Sequence, residues 1–127
     1  MQPATAEWVA KAEGDFTTAL REYRARKSPN YDAACFHAQQ CAEKYIKALL
    51  QEDHIAFDKT HDLVKLLSLL PTMIGLASLR GKLAMLSVAA VKYRYPGECA
   101  MRETAKESIA TCKAVRNEAR FKLGIPD

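Results

Sequence analysis

From Tyr31 to Glu52 the chain runs without a Gly or a Pro, and its apolar residues recur every three or four positions: Ala34, Cys35, Ala38, Cys41, Ala42, Tyr45, Ile46, Leu49 and Leu50. That spacing lines them along an α-helix and does not suit a strand, whose side chains alternate with period two. At ~1.5 Å per residue such a helix is roughly 33 Å long. The other segments follow the same rule. Trp8, Ala12, Phe16, Ala19, Leu20 and Tyr23 mark a helix from Thr5 to Arg26, with Thr5 as N-cap and Glu7 in the first turn. Ser28-Pro29-Asn30 ends it.

Thr60 reads as the N-cap of a short third helix, with Asp62 in its first turn, Leu63, Leu66, Leu67 and Leu70 facing inward, and Pro71 closing it. Leu76, Leu79, Leu83, Leu86 and Ala90 mark a fourth helix over Leu76 to Arg94, stopped by Pro96-Gly97. Met101, Ala105, Ser108, Cys112, Val115 and Ala119 form the inner stripe of a fifth, from Glu98 to about Leu123, ended by Gly124 and Pro126. No stretch alternates long enough to make a strand, and there is no repeat, low-complexity tract or linker. The expected fold is all-α: an antiparallel up-and-down bundle of four long helices plus one short helix, one domain over residues 1–127.

Composition narrows the function classes. With 49% apolar and 27% charged residues the chain is neither disordered nor membrane-like. The longest apolar run, Met85 to Val91, is too short to cross a bilayer. Met1 to Glu7 lack the basic start and apolar stretch of a signal peptide, so the expectation is a cytoplasmic protein with no membrane association. Cys35, Cys41, Cys99 and Cys112 include no Cys-x-x-Cys pair, and three of them fall on apolar helical positions, as small core residues do. His37, His54 and His61 form no His-x-x-x-His pair. These residues call for no metal and no cofactor.

A net charge of +4 permits an anionic partner without demanding one. Placement says more. If five helices alternate up and down, one end of the bundle gathers Lys47, Lys59, Thr60, His61, Lys92, Tyr93, Arg94, Tyr95 and Arg102, together with the N-termini of the third and fifth helices. There Lys47, Lys59, Lys92 and Arg94 would hold phosphate, Tyr93 or Tyr95 would stack on a base, and His61 would orient the ligand or move a proton. The plainer alternative is a solvated helix end whose cations offset the helix dipole, with His61 packing locally and the tyrosines on helix one. On helix two, His37, Gln40, Lys44, Lys47 and Gln51 share a polar stripe, on which His37 reads as a surface or dimer-interface residue. Glu43 stands four residues before Lys47, the spacing of a helical ion pair.

The pieces Trp8 with Asp15, Phe36-His37-Ala38-Gln39-Gln40-Cys41-Ala42-Glu43-Lys44-Tyr45-Ile46-Lys47-Ala48-Leu49-Leu50, Thr60-His61-Asp62-Leu63 and Arg94-Tyr95-Pro96-Gly97 stand in an order and spacing that resemble the HEPN domain family (higher eukaryotes and prokaryotes nucleotide-binding). The resemblance implies a bundle of four or five helices, a homodimer, and partnership with a small nucleotidyltransferase, often as a toxin–antitoxin pair. Many HEPN proteins are metal-independent ribonucleases whose motif is an Arg and a His with four to six residues between them. After Arg94 those positions hold Cys99, Ala100 and Met101, and no other Arg has a His at that distance. In-line attack by a 2′-hydroxyl needs a base and an acid, and imidazole suits that task near neutral pH. The departure favours a module that binds nucleotide or RNA phosphate over an enzyme. A ribonuclease toxin with an atypical site, recruiting His61 or His37 beside Arg94, and a non-catalytic dimerisation or assembly bundle are the alternatives.

Overall fold

The computed structural model describes residues 1–71 and 74–126. Among the described residues six helices and no strand form: α1 (Pro3–Arg24), α2 (Tyr31–Glu52), α3 (Leu63–Leu69), α4 (Ile74–Ala77), α5 (Arg80–Lys92) and α6 (Arg102–Lys122). Four of them are the long helices of an antiparallel bundle. The expected fourth helix is two: Leu79 leaves the helical ladder, so α4 is a single turn and α5 begins at Arg80.

The ends follow local chemistry. Asn30 caps α2, its side chain accepting from Ala33 N at 2.9 Å. Asp62 caps α3 by accepting from Val64 N and Lys65 N. Thr60 does not cap it, and instead its Oγ1 accepts from Asp62 N one step earlier. Thr5 is not a cap either. Pro3, with its preset φ, opens α1 two residues sooner, and this leaves Thr5 buried with its hydroxyl donating to Glu52 Oε1. The contact pins the start of α1 to the end of α2. At the close of α6, Gly124 takes φ +72° and Ile125 N donates to Arg120 O, a Schellman ending. α6 begins at Arg102, four residues later than expected, and Met101 is exposed instead of joining the inner stripe.

α2 is the axis of the molecule. α1, α3, α5 and α6 all pack on it, and its buried residues lie on most of its circumference. α1 runs antiparallel to it, with Gln2 and Thr5 bonded to Glu52 at one end and the Tyr23 and Tyr31 rings 6.2 Å apart at the other. A second tie joins three helices. Arg116 of α6 grips Glu13 of α1 with two 2.7 Å bonds and stacks on Phe16, while the Tyr45 hydroxyl of α2 donates to the same carboxylate. The hydrogen bond from Arg116 is the chief cause holding the Glu13 carboxyl below its ordinary range. Burial, then Glu13 itself, pushes the Tyr45 hydroxyl up. Cys35, Cys41 and Cys112 are buried, as their apolar positions implied, and Cys99 is exposed.

The polarity of the last helices overturns the expected gathering of basic groups. Ala100 N donates to Asp32 Oδ1 at the start of α2, and the Arg102 guanidinium lies over Tyr23 at the end of α1. The N-terminus of α6 therefore sits at the opposite end of the bundle from Lys47 and Glu52. The cause is the length of α3. Its seven residues rise only ~10 Å, too little to carry the chain across the bundle. Counting it as a full traverse inverts the end to which α5 delivers Lys92, Tyr93 and Arg94.

Candidate functional site: a carboxylate-anchored histidine on the central helix

A helix packed on most sides has little solvent face for its polar residues. In α2 three of them, Gln39, Glu43 and Lys47, share one face at four-residue spacing and are buried. A buried ion must be paired and hydrogen-bonded, and here each is. Lys47 Nζ lies 3.1 Å from Glu43 Oε2. The same ammonium stands 5.4 Å from the Trp8 ring and 5.9 Å from the Phe57 ring, within cation–π reach of both. Gln39 Nε2 donates to Glu43 Oε1 at 3.2 Å and to the His61 carbonyl at 3.0 Å, and Gln40 Nε2 donates to Gln39 Oε1 at 2.8 Å.

The loop after α2 folds back along this face and brings His61 to it. His61 Nδ1 lies 2.9 Å from Glu43 Oε1. The carboxylate is 2% exposed and the imidazole 76% exposed. A carboxylate only accepts, so Nδ1 carries the proton and Nε2 is left to face outward. One ring nitrogen is thus fixed by a buried anchor while the other is available to a ligand. Such an imidazole can accept a proton, or, when charged, donate to a phosphate oxygen.

Arg94 lies along the same side of α2. Its guanidinium is 5.5 Å from the Phe36 ring, and Phe36 precedes Glu43 by two helical turns. Two turns are ~10 Å, so Arg94 and His61 mark the ends of a short track. Of the other residues expected to bind phosphate, Lys47 is near His61, but its ammonium is enclosed against Glu43. Lys59 is exposed in the loop that carries His61. Lys92 is exposed, 3.9 Å from Glu98 and over the Tyr93 ring. Tyr93 and Lys92 line a groove of about 830 Å³ between α5 and α6, and Tyr95 is exposed. Lys47 and His61 therefore meet through Glu43, Arg94 joins their face, and Arg102 lies at the far end of α1. Reading the sequence found Lys47, His61 and the Glu43–Lys47 spacing. It missed the Glu43–His61 bond and Gln39, which join α2 to a loop 18 residues away and leave no local pattern.

His37, expected on the surface or at a dimer interface, makes an ion-pair contact with another helix. It is partly buried, with Nδ1 2.8 Å from Asp15 Oδ1 of α1, and Lys44 Nζ is bonded to the other oxygen of Asp15. Among the described residues no group of three His, Cys, Asp or Glu side chains is arranged to hold a metal. Among those residues, too, no helix is long and apolar enough to cross a membrane.

The HEPN domain family model matches residues 5–122. The chain belongs to the HEPN family. At the level of the family this makes it a nucleotide-related module. The HEPN fold here is similar to that of TT1696 from Thermus thermophilus, at 21% identity over 95% of this chain and 99% of that one, with a TM-score of 0.81. It is also similar to ST0689, an archaeal HEPN homologue, at 25% identity over 97% and 99% of the two chains, with a TM-score of 0.76. No curated protein matches this HEPN chain.

Proposed function

We propose that this HEPN domain binds the phosphates of a nucleotide or of RNA on the face of α2 where His61 and Arg94 lie. The observation that carries the reading is the His61 ring, held through Nδ1 by a buried carboxylate while its other nitrogen faces solvent. In its charged form this fixed, exposed imidazole donates from Nε2 to an anion without first losing rotamer freedom, which lowers the cost of binding. Arg94 offers the planar fork that suits phosphate, and exposed Lys59 adds charge from the His61 loop. Lys47 serves by neutralising Glu43, so that the site as a whole is not anionic. Calorimetry with ATP tests this. Heat that disappears in His61→Asn and falls in Arg94→Ala is the expected outcome. No heat at millimolar ATP from folded protein overturns it.

The family resemblance supports action beside a small nucleotidyltransferase, in a toxin–antitoxin-like pair. Co-purification with the product of a neighbouring reading frame of that type checks it. A homodimer is supported by α5, whose outward side chains Met85, Val88 and Val91 are all more than half exposed. The same face supports the assembly-bundle alternative.

A metal-independent ribonuclease with an atypical site is the second reading, and the tautomer fixed by Glu43 favours it: His61 Nε2 is free to take a proton from a 2′-hydroxyl, while the departing 5′-oxygen takes its proton from water. Incubating the folded protein with RNA in EDTA decides it. Cleavage lost in His61→Asn supports an enzyme, and intact RNA leaves the binding reading.

A further inference from the structure

The unit built around Glu43 has a counterpart on the next face of α2. Asp15, whose side chain is 11% exposed, holds His37 Nδ1 at 2.8 Å on one oxygen and Lys44 Nζ at 2.5 Å on the other. Glu43 does the same with His61 and Lys47. In each unit a shielded carboxylate takes one lysine of α2 and the Nδ1 of one imidazole, so both rings are fixed in the same tautomer. His37 Nε2 is neither hydrogen-bonded nor sealed from solvent among the described residues. The His37 ring meets Phe36 edge to face at 5.2 Å, and the Phe36 ring also carries the Arg94 guanidinium. His37, Phe36 and Arg94 thus form one connected group, about two turns of α2, or ~10 Å, from the Glu43–His61 unit.

We propose that the two units are separate subsites for one single-stranded oligonucleotide. In its charged form the His61 ring donates from Nε2 to one phosphate, and His37, likewise charged, takes another with Arg94 further along the strand. Arg94, backed by Phe36, also presents a flat cationic face on which a base can stack. This rests on the phosphate-binding reading above and narrows it to a ligand class. One phosphate group cannot reach both imidazoles across two helical turns, whereas a strand of a few nucleotides can. The partner is a strand and not a duplex, because base stacking on Arg94 needs an unpaired base.

The test compares uridine monophosphate with an oligouridylate of about eight nucleotides, within the range single-strand sites cover. Titration calorimetry on the full chain gives both affinities. The oligonucleotide is expected to bind at least tenfold more tightly. His37→Asn and Arg94→Ala are each expected to weaken the oligonucleotide about tenfold, and more than they weaken the monophosphate, while His61→Asn weakens both. Each lost phosphate contact also lowers the dependence of log K on log salt by about 0.7, a signature that a packing defect does not produce. Arg94 is exposed, so Arg94→Ala keeps the test valid if His37→Asn fails to fold. Oligonucleotide and monophosphate binding with equal affinity overturns the proposal and leaves the phosphate site standing. So does oligonucleotide binding that neither His37→Asn nor Arg94→Ala changes. If neither ligand binds, the phosphate site and this extension fall together.

Discussion

Glu43→Gln should be among the most damaging single substitutions of a polar residue in this protein. Its carboxylate is 2% exposed, and it faces a Lys47 side chain that is 7% exposed at 3.1 Å. Glutamine keeps the shape and one acceptor but leaves Lys47 as a buried ammonium without a counter-charge. Removing one partner of a buried pair costs about 3–5 kcal/mol. The rings of Trp8 and Phe57 still face the ammonium, and contacts of that kind are worth about 0.5–2 kcal/mol. Because they persist in the variant, they keep the loss near the lower bound, about 3 kcal/mol. For 127 residues at ~2.1 cal/mol/K each, the unfolding entropy is about 270 cal/mol/K, so Tm should fall by about 11 °C.

Thermal unfolding by circular dichroism measures this, and a double variant separates the causes. Glu43→Leu with Lys47→Met replaces both ions by apolar groups of similar length, which is often neutral for stability. It should recover most of the lost Tm while leaving His61 without its anchor, so ATP affinity should not recover. His61→Asn removes one hydrogen bond from a carboxylate that Gln39 and Lys47 still hold, and should lower Tm by less than Glu43→Gln does. A Glu43→Gln protein that melts within about 3 °C of wild type refutes the account of Lys47 as a dependent ion. A double variant no more stable than Glu43→Gln would refute it as well.

Three further outcomes follow from other parts of the molecule. Glu13 is held below its ordinary value of 4.5 chiefly by its hydrogen bond from Arg116, so its stabilisation is full above that value and is lost as pH falls through the lower folded value. Glu13→Gln should therefore lower Tm at about pH 7 yet flatten its decline between about pH 5 and pH 3, and an unchanged acid limb would count against the Arg116 contact. Of the four thiols only Cys99 is exposed, and burial raises the Cys35 thiol while the Cys112 contact and burial raise Cys41. Ellman's reagent should label one thiol quickly in the native protein and four in denaturant; two fast thiols would mean that the core opens. Val88→Glu places a charge on the exposed apolar side of α5 and should shift a dimer to monomer in light scattering, with no loss of Tm beyond that of dissociation.

Local chemistry made the helices legible. The run from Tyr31 to Glu52 has a capping Asn before it, no breaker within it, and the bounds that its periodicity implies. Gly124 ends α6 for a reason visible in the residue itself, whereas α5 ends at Lys92, before Pro96-Gly97 is reached. What periodicity could not reveal was which helix traverses the bundle. Leu63, Leu66, Leu67 and Leu70 show an inward face but say nothing of a helix that ends after two turns, and one miscounted traverse moved Arg94 and Arg102 to the wrong end. The site failed to show for a related reason. His61 alone is an ordinary exposed ring, and Glu43 alone is half of a helical ion pair. Their bond exists because α2 is enclosed by its neighbours, which buries Glu43, and because the return loop passes along that face. The same enclosure built Asp15 with His37 and Lys44 from two different helices. Burial by the fold, acting on polar residues that could not leave the central helix, turned a solvent-like stripe of sequence into two fixed imidazoles. That is the physical basis of the paired anion subsites we propose for this HEPN domain, whose sequence has no Arg and His separated by four to six residues.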